Sequence, residues 1–330
     1  MFTHTRLLTL LTLGCACSGS SAGTRPARDA GAADGGTRAD ASTGGSRAGN
    51  AAIGGSDSGA GNAGGAGGSA AKGGDSAAES GGKGGSAGAS EDAKDWWRPK
   101  VGSSWQIQYA ETLDSSVDVQ IYDIDLVDNS AEKIAALQAQ GRKVICYFDT
   151  AYEAWRPDAK ALAPYKGNPL DGWPDQYWVD IRQAGVFEVM LKRLDLAKAK
   201  HCDGVDPDDV DARSNNPGFP LSAQDQQDFI KKIADAAHMR GLAVGLKNDL
   251  EEIGALLDHV DFAVNEECFD NEECQLLMPF IAAGKPVFNV EYTDGDMQAK
   301  SETLCPVSKN YKFSTLIKRL NLNAERYACE

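Results

Sequence analysis

Eight short apolar runs, separated by helical patterns, constrain the fold of this sequence more than any other feature. Each run is rich in Val, Ile, Phe or Tyr and lies between turn residues, which predicts a β-strand. Because strands and helices alternate over roughly 235 residues, the pattern favours a single (β/α)8 TIM barrel, in the α/β class, over an open doubly wound sheet. The predicted strands are Trp105–Tyr109, Val119–Leu126, Lys143–Asp149, Asp203–Pro207, Ala243–Lys247, Phe262–Glu266, Pro286–Tyr292 and Lys312–Ile317.

Several segments between these runs carry helical periodicity. Their apolar residues recur every three to four positions, and Ser or Gly residues stand where helix caps are expected. No Gly-x-Gly-x-x-Gly run or P-loop follows any strand, which argues further against a nucleotide-binding open sheet. The predicted helices run from Ser130 to Gly141, over Val186–Lys200, from Ser222 to Gly241, and over Leu276–Ala283.

Residues 1–17 predict an export segment. Met1–Leu13 carries Arg6 and a Leu and Thr run far shorter than the roughly 20 residues that span a bilayer. The run ends, from Leu11 to Cys15, in a sequence similar to a bacterial lipoprotein cleavage box with Cys15 as the lipidated residue, and simple secretion is the alternative. We therefore expect an exported protein, either secreted or lipid-anchored at the bacterial cell surface.

Residues 18–94 predict a flexible tether. They are almost entirely Gly, Ala and Ser, with Ile53 as the single large aliphatic side chain, so they cannot bury enough apolar surface to fold. Met1 to Lys94 holds eight basic and eight acidic residues, which places the whole formal charge of −15 in the predicted domain, residues 95–330. That charge argues against a nucleic-acid partner and fits a cationic ligand.

The most acidic stretch of the domain, Cys202 to Asp211, follows a predicted strand. Asp206 and Asp208 are two residues apart, so they share a face where that strand ends. Two close carboxylates push each other's pKa values apart, which is what an acid and base pair requires. A solvated acidic loop is one alternative, and an EF-hand-like calcium loop is another, although Asp211 stands where that loop requires glycine.

Polar residues also gather at the ends of the other predicted strands. A TIM barrel carries its chemistry at the C-terminal ends of its strands, so the pattern predicts an acidic functional mouth. Some of these residues have alternative structural roles. Asp249 could cap a helix, and Lys247 could neutralise the acidic cluster. Asp123 or Asp125 could be the structural partner of Lys247. The residues predicted to contact a ligand are Asp123, Asp125, Tyr147, Trp155, Asp206, Lys247, Asn265, Glu291 and Tyr292.

Aromatic residues near this mouth offer flat faces for sugar rings, although a buried aromatic residue is more often part of the core. Trp155 and Tyr292 are the leading candidates. Trp155 lies in a long insertion, Thr150 to Ala184, that we expect to form one wall of the cleft.

Other kinds of catalytic site find little support. The four His residues lie away from the predicted strand ends with no metal-ligand spacing, and no Gly-x-Ser-x-Gly elbow is present. Cys146 and Cys202 have no His in an obvious partnering position. We therefore predict carboxylate chemistry, with no metal and no cofactor.

Export implies an oxidising compartment, in which cysteines form disulfides. Cys268 and Cys274 bracket a tight loop, and Cys305 and Cys329 both lie in the C-terminal quarter, so two disulfides are predicted. Cys146 and Cys202 lie on neighbouring strands and either pair or remain buried thiols.

Eight motifs, in order along the chain, carry a resemblance to a known family. They are Tyr122-Asp123-Ile124-Asp125, Val144-Ile145-Cys146-Tyr147-Phe148, Trp155-Arg156-Pro157-Asp158, Asn168-Pro169-Leu170-Asp171-Gly172-Trp173, Gly204-Val205-Asp206-Pro207-Asp208, Gly245-Leu246-Lys247-Asn248-Asp249, Asn265-Glu266-Glu267-Cys268-Phe269 and Val290-Glu291-Tyr292. They resemble the motifs of glycoside hydrolase family 114, which contains endo-α-1,4-polygalactosaminidases built on a (β/α)8 barrel.

The resemblance implies specific roles. Asp208 matches the family's nucleophile candidate and Glu266 its acid/base candidate, in a retaining mechanism that needs the two carboxyls roughly 5 Å apart. The implied substrate is an α-1,4-linked polysaccharide containing galactosamine, whose amines are cationic where it is deacetylated. We also expect the protein to be a monomer. Asp123, Asp125, Lys247 and Glu291 would surround the sugar at the cleaved bond.

Two positions depart from the family pattern. Glu is usual where Asp206 stands, and Ser-Ala-Gly where Asp149-Thr150-Ala151 stands. The first change shortens a side chain beside the nucleophile, and the second adds a carboxylate at the mouth. A barrel that binds carbohydrate without turnover, or a hydrolase for a different glycan, are the alternative functions.

Overall fold

The computed structural model describes residues 95–329 of the chain. The predicted export segment at 1–17 and the predicted tether at 18–94 lie outside the described residues. The strands of the described part are β1 (Trp105–Gln108), β2 (Ile121–Asp125), β3 (Lys143–Asp149), β4 (Tyr152–Glu153), β5 (Lys166–Pro169), β6 (Gln176–Val179), β7 (Gly204–Asp208), β8 (Ala243–Lys247), β9 (Phe262–Glu266), β10 (Val287–Tyr292), β11 (Ser314–Lys318) and β12 (Tyr327–Ala328).

The helices begin and end at residues that can cap them. Ser130 accepts a hydrogen bond from the Lys133 backbone N–H, and Ser222 and Asp225 form a reciprocal capping box. Gly141 and Gly241 follow the first and fourth helices with φ of +81° and +75°, a conformation that glycine adopts without strain. The helices are α1 (Ala131–Gln138), α2 (Ala159–Leu162), α3 (Ala184–Ala199), α4 (Ala223–His238), α5 (Ile253–Leu256), α6 (Met278–Ala282) and α7 (Met297–Tyr311).

A curled nine-stranded sheet forms the centre of the fold. Its order is β1-β2-β3-β7-β8-β9-β10-β11-β12, in which every neighbouring pair is parallel except the last. The seam between β11 and β1 is bridged by two hydrogen bonds: Trp105 Nε1 donates to the Ser314 carbonyl at 2.8 Å, and Lys318 Nζ donates to Gln106 Oε1 at 3.3 Å. The predicted TIM barrel is therefore confirmed.

All eight predicted strands are present, with ends that agree to within two residues. The helices differ more from the prediction. Residues 109–120, which join β1 to β2, contain no helix; this departs from the regular (β/α)8 pattern, although no helix was predicted there. The predicted helix at Leu276–Ala283 begins as a 3-10 helix, Cys274–Leu277, before α6. Helix α7 was not predicted, because Pro306 within it interrupts the helical pattern.

The core has two layers, separated by the sheet. Inside the barrel, apolar side chains from the strands pack together. The centroid of the Phe288 ring lies 5.0 Å from that of Trp105 and 5.8 Å from that of Phe262. A Cβ at Gly245 would lie 2.5 Å from the Phe262 ring, so glycine is needed there. Outside, the helices cover the other face with a larger apolar cluster. The barrel interior is thus filled, and only its ends are open to chemistry.

The insertion after β3 folds as a small unit beside the C-terminal end of the barrel. Strands β4, β6 and β5 form an antiparallel sheet in that order. Arg156 connects it to the barrel, with its Nη2 at 2.6 Å from Asp125 Oδ2 at the end of β2.

Three disulfides stabilise the described part of the chain. Cys268–Cys274 and Cys305–Cys329 confirm the predicted pairs, and Cys146–Cys202 shows that these cysteines pair rather than remain thiols. Within residues 95–329, none of the helices combines the length and apolar character needed to cross a membrane.

Candidate active site

Polar side chains converge at the C-terminal ends of the barrel strands. Side chains alternate between the faces of a strand, and the apolar residues inside the barrel show which face points inward. On most strands the final inward positions are ionisable. The inward-facing polar residues at this end include Asp123, Asp125, Tyr147, Asp149, Asp206, Asp208, Lys247, Glu266 and Tyr292.

Lys247 lies between two carboxylates from different strands. Its Nζ is 2.8 Å from Asp208 Oδ2 on β7 and 3.5 Å from Glu266 Oε2 on β9. The Lys247 side chain is 1% exposed, whereas those of Asp208 and Glu266 are 21% and 24% exposed. Burial alone would lower the pKa of Lys247, but Asp208, Glu266 and Asp206 hold that pKa well above its ordinary value. The ammonium therefore stays charged and holds the two accessible carboxylates together.

Removing this ammonium is expected to destabilise the fold. We expect Lys247→Met to lower the free energy of unfolding by about 3 kcal/mol at pH 7, because it leaves two partly buried carboxylates facing each other without a cation. Arg98→Met, which removes an exposed ion pair with Asp95, is the matched control and should cost about 0.5 kcal/mol or less. Urea denaturation of both variants measures the difference, and equal losses would contradict this role of Lys247.

Glu266 is held by two further donors. The Tyr292 hydroxyl donates a short hydrogen bond to Oε1, and Asn248 Nδ2 donates to Oε2 at 3.3 Å. Asn248 is itself fixed, since its Oδ1 accepts the Glu266 backbone N–H at 2.9 Å. The carboxyl group therefore has a defined orientation before any ligand enters.

Two buried carboxyl groups form the floor of the site. Both Asp123 oxygens and Oδ1 of Asp206 are buried and have no hydrogen-bond partner within residues 95–329. Burial, opposed by Lys247 and reinforced by Asp208, raises the pKa of Asp206 to about 7. Burial and the neighbouring Asp206 raise the pKa of Asp123 well above its ordinary value. Unpartnered buried carboxyl oxygens are costly, so a ligand that supplies donors or positive charge would bind favourably here.

Tyr109 belongs to this floor and was not predicted. Its hydroxyl donates to Asp206 Oδ2 at 3.3 Å, and its ring stacks on that of Tyr147 with a centroid distance of 4.0 Å. It is the residue that follows β1, at the same edge of the barrel as the other strand ends. That position at a strand end was the available signal, but neither of its neighbours in the chain, Gln108 and Ala110, is ionisable, so this strand end did not stand out as functional.

Asp125 and Trp155 lie at the rim rather than on the floor. Asp125 Oδ1 accepts the backbone N–H groups of Val127 and Asp128, and its Oδ2 pairs with Arg156. Trp155, beside Arg156, is 52% exposed. The structure therefore gives Asp125 a structural partner in Arg156, not in Lys247, and leaves the Trp155 ring open to solvent.

Asn265 and Glu291 face away from the mouth, which differs from the sequence-based expectation. Each stands one residue before an inward-facing residue, Glu266 or Tyr292, and so projects from the opposite side of its strand. Both are buried in a polar network behind the sheet: Asn289 Nδ2 donates to the side chains of both, and Glu291 Oε1 accepts the Phe269 backbone N–H at 3.0 Å. The two-residue period of a strand could have predicted this outward orientation.

Asp249 does not act as a side-chain cap. It precedes a 3-10 helix, Leu250–Glu252, but makes no capping hydrogen bond; its Oδ1 instead accepts a hydrogen bond from Gln226 Nε2 at 2.8 Å.

No group of three or more His, Cys, Asp or Glu side chains in the described part of the chain is arranged to hold a metal ion.

Comparisons with a family model and with solved structures agree with the resemblance of the strand-end motifs. The model of glycoside hydrolase family GH114 matches residues 86–330. The crystal structure of Aspergillus fumigatus Ega3 in complex with galactosamine is 41% identical, with a TM-score of 0.69, and the alignment covers 72% of this chain and all of that one. The glycoside hydrolase domain of PelA from Pseudomonas aeruginosa shares the fold at 13% identity and a TM-score of 0.57, over 68% of this chain and 98% of that domain. No curated protein matches the chain.

Proposed function

The chain belongs to glycoside hydrolase family 114, and on that premise we propose that it is a retaining endo-glycosidase for α-1,4-linked, galactosamine-containing polysaccharide. Asp208 is the nucleophile and Glu266 the general acid and base. Both side chains lie at C-terminal strand ends, both are partly exposed, and they are held by the same lysine.

The distance between these carboxyl groups is the observation that carries the mechanism. Because Lys247 Nζ lies 2.8 Å from Asp208 Oδ2 and 3.5 Å from Glu266 Oε2, those two oxygens are at most about 6.3 Å apart, the sum of the two distances. Retaining glycosidases separate their carboxyl groups by about 5 to 5.5 Å, whereas inverting enzymes leave about 6.5 to 9.5 Å for a water molecule. This upper limit on the distance between the two oxygens is shorter than the inverting range, and it therefore supports direct attack by a carboxylate.

The contacts of each carboxyl group fit its role. Asp208 Oδ1 accepts the Asp209 backbone N–H at 2.8 Å and Oδ2 accepts Lys247, which fixes the carboxylate for attack on the anomeric carbon. The first step requires the protonated form of Glu266: as Asp208 attacks and the carbon–oxygen bond to the leaving sugar breaks, this form gives its proton to that oxygen. Glu266 then removes a proton from water, which attacks the glycosyl–Asp208 ester and releases the sugar with retained configuration.

The charge of the floor supports an amino-sugar substrate. Asp123 and Asp206 present unpartnered oxygens beside the reactive carboxylates, and Ega3 binds galactosamine in its crystal structure. A protonated amine would supply both hydrogen-bond donors and a compensating charge. The net charge of −15 would also attract a partly deacetylated, cationic polymer to the domain.

We expect Asp123→Asn to weaken substrate binding while stabilising the free enzyme. The amide keeps the shape but removes a carboxyl group whose ionisation is disfavoured by burial, so the free energy of unfolding at pH 7 should rise by about 1 kcal/mol. Loss of the attraction for the sugar amine should raise KM about tenfold, which corresponds to about 1.4 kcal/mol. Thermal unfolding and steady-state kinetics measure the two effects. A variant with lower stability and unchanged KM would show that Asp123 serves the fold and not the substrate.

We also propose that the protein is exported. It is either secreted or held at the cell surface through a lipid on Cys15. We further propose that it is a monomer. The three disulfides support export, because such bonds persist in oxidising compartments. Mass spectrometry of the processed N-terminus distinguishes a lipidated Cys15 from simple cleavage.

The function itself is tested by incubating the full chain with galactosaminogalactan in acetylated and partly deacetylated forms. We expect short oligosaccharides from the deacetylated form. Recovery of intact polymer would indicate a carbohydrate-binding barrel without turnover, and cleavage of other polysaccharides in a panel would indicate a different substrate.

A further inference from the structure

A row of buried amide and hydroxyl side chains crosses the outer face of the barrel sheet. Asn265 on β9, Asn289 on β10 and Thr315 on β11 stand opposite one another in the parallel register of these strands. All three residues are at most 2% exposed. Asn248, the first residue after β8, extends the row to a fourth strand, since its backbone N–H donates to the Val264 carbonyl at 2.9 Å. We call Asn248, Asn265, Asn289 and Thr315 the amide ladder.

The hydrogen bonds of the amide ladder all run in one direction, toward Glu266. Thr315 Oγ1 donates to Asn289 Oδ1 at 3.1 Å, and Asn289 Nδ2 donates to Asn265 Oδ1 at 3.1 Å. Asn265 Nδ2 donates to Asn248 Oδ1 at 3.3 Å. Asn248 Nδ2 then donates to Glu266 Oε2 at 3.3 Å, so the ladder ends on the carboxyl group proposed as the general acid and base.

Groups at both ends of the amide ladder fix this direction. The Glu266 backbone N–H can only donate, so Asn248 presents Oδ1 to it, at 2.9 Å, and Nδ2 to the carboxyl group. At the other end, Glu291 Oε1 accepts a backbone N–H at 3.0 Å and also accepts Asn289 Nδ2 at 3.2 Å. An Asn side chain turned by 180° at any position of the ladder would therefore set two donors or two acceptors against each other.

The amide ladder holds Asn248, which lies beyond the end of its own strand. Asn248 has φ of +48° and Asp249 has φ of +47°, so two successive residues are in the left-handed region. Both hydrogen bonds that Asn248 Oδ1 accepts come from β9, one from the Glu266 backbone and one from the Asn265 side chain. These two bonds tie the Asn248 side chain to β9 and aim its Nδ2 at the Glu266 carboxyl group.

We propose that the amide ladder positions Glu266 as general acid and base from behind the sheet, without contact to the substrate. The inference rests on the proposed role of Glu266, and it gives Asn265 an indirect part in the reaction in place of the ligand contact expected from sequence. A fixed donor on Oε2, together with the Tyr292 hydroxyl on Oε1, keeps the carboxyl group in one orientation toward the leaving oxygen. Breaking the ladder should therefore slow proton donation to the leaving group more than it slows attack by Asp208.

Asn265→Leu interrupts the amide ladder at its centre with little change in side-chain shape. The neighbours of the substituted residue keep other partners. Asn248 Oδ1 still accepts the Glu266 backbone N–H, and Asn289 Nδ2 still donates to Glu291 Oε1. The variant therefore removes the link and leaves few buried groups without a partner.

Asn129→Leu is the matched control for the loss of one buried amide. Asn129 is also buried, and its Nδ2 donates to the Asp125 backbone carbonyl at 3.0 Å, outside the amide ladder. Whatever this variant costs in stability or activity measures the general effect of such a substitution on the barrel.

The experiment measures kcat/KM for the full chain and both variants on deacetylated galactosaminogalactan and on an aryl galactosaminide. This parameter reports the steps up to the glycosyl intermediate, and in those steps only the polymer needs a proton on its leaving oxygen. We expect Asn265→Leu to lower kcat/KM about tenfold on the polymer and less than about twofold on the aryl galactosaminide, since a misplacement of about 1 Å costs up to about 10²-fold. Asn129→Leu should change both values by the same factor. Equal losses on the two substrates in Asn265→Leu, or wild-type values on both, would overturn the proposal.

The far end of the amide ladder gives a second test, which does not require Asn265→Leu to fold. Thr315→Val removes the hydroxyl that donates to Asn289 Oδ1, whereas Thr315→Ser keeps a hydroxyl there. We expect Thr315→Val to lower kcat/KM on the polymer about threefold and Thr315→Ser to keep the wild-type value, because hydrogen bonds in a chain strengthen one another. The same polymer kinetics in both variants would contradict the proposal.

A readout of the amide ladder itself does not depend on turnover. In the 1H–15N NMR spectrum of the side-chain amides, the Asn248 signal should move, and its hydrogens should exchange faster with water, in Asn265→Leu but not in Asn129→Leu. If the wild type cleaves no polysaccharide, the proposed function fails, and these spectra still decide whether Asn265 holds Asn248. An unchanged Asn248 signal in Asn265→Leu would overturn the ladder, whatever the activity.

Discussion

Asp208→Asn is expected to reduce kcat on deacetylated galactosaminogalactan on the order of 10⁴-fold or more, because an amide cannot form the covalent glycosyl intermediate. The fold should be kept, since the amide oxygen can still accept the Asp209 N–H that Asp208 Oδ1 accepts at 2.8 Å. Release of reducing ends, measured over hours at high enzyme concentration, has the range to detect such a loss.

Asp211→Asn is the matched control for this variant. It neutralises a carboxyl group three residues further along the chain, in the loop that follows β7, so it reproduces the change in local charge without altering the proposed nucleophile. Activity in Asp208→Asn above a few per cent of the control would remove Asp208 from its assigned role, whatever the identity of the glycan.

Glu266→Gln is expected to lower kcat by about 10²-fold to 10⁴-fold, the usual range for loss of a general acid and base. The loss should be smaller for an aryl galactosaminide whose leaving group needs no proton, and with that substrate the glycosyl–Asp208 intermediate should accumulate. Added azide should then restore turnover, because azide attacks the intermediate without a general base. Intact-protein mass spectrometry and product analysis measure both effects.

Glu267→Gln controls for this second variant. Glu267 follows Glu266 in the chain, has φ of +61°, and makes none of the contacts to Lys247, Asn248 or Tyr292 that hold Glu266. It should keep near wild-type activity. No azide rescue in Glu266→Gln, together with an equal loss on substrates with good and poor leaving groups, would argue against acid and base catalysis by Glu266.

The barrel strands were predictable from sequence because each combines a short apolar run with flanking turn residues. The same pattern placed Asp208 and Glu266 at strand ends, where the barrel brings distant residues together. The resemblance of the strand-end motifs supplied their roles. By contrast, the helix-free link between β1 and β2 and the Pro-containing helix α7 follow from tertiary packing rather than from local periodicity.

The contacts within the site were harder to predict. Tyr109 is a single aromatic residue after β1, and its bond to Asp206 exists only once the barrel closes. Asn265 and Glu291 are the opposite case, because their sequence positions next to inward-facing residues already placed them on the outer face.

The central claim is that Asp208 and Glu266 act as a retaining pair on α-linked galactosamine polymer. The most direct test is to follow the anomeric configuration of the first products of the wild-type enzyme by 1H NMR, before mutarotation equilibrates them. The spacing that Lys247 imposes on the two carboxyl groups predicts that the α-anomer appears first and the β-anomer later. Initial release of the β-anomer would show an inverting reaction and contradict the assignment of Asp208 as nucleophile.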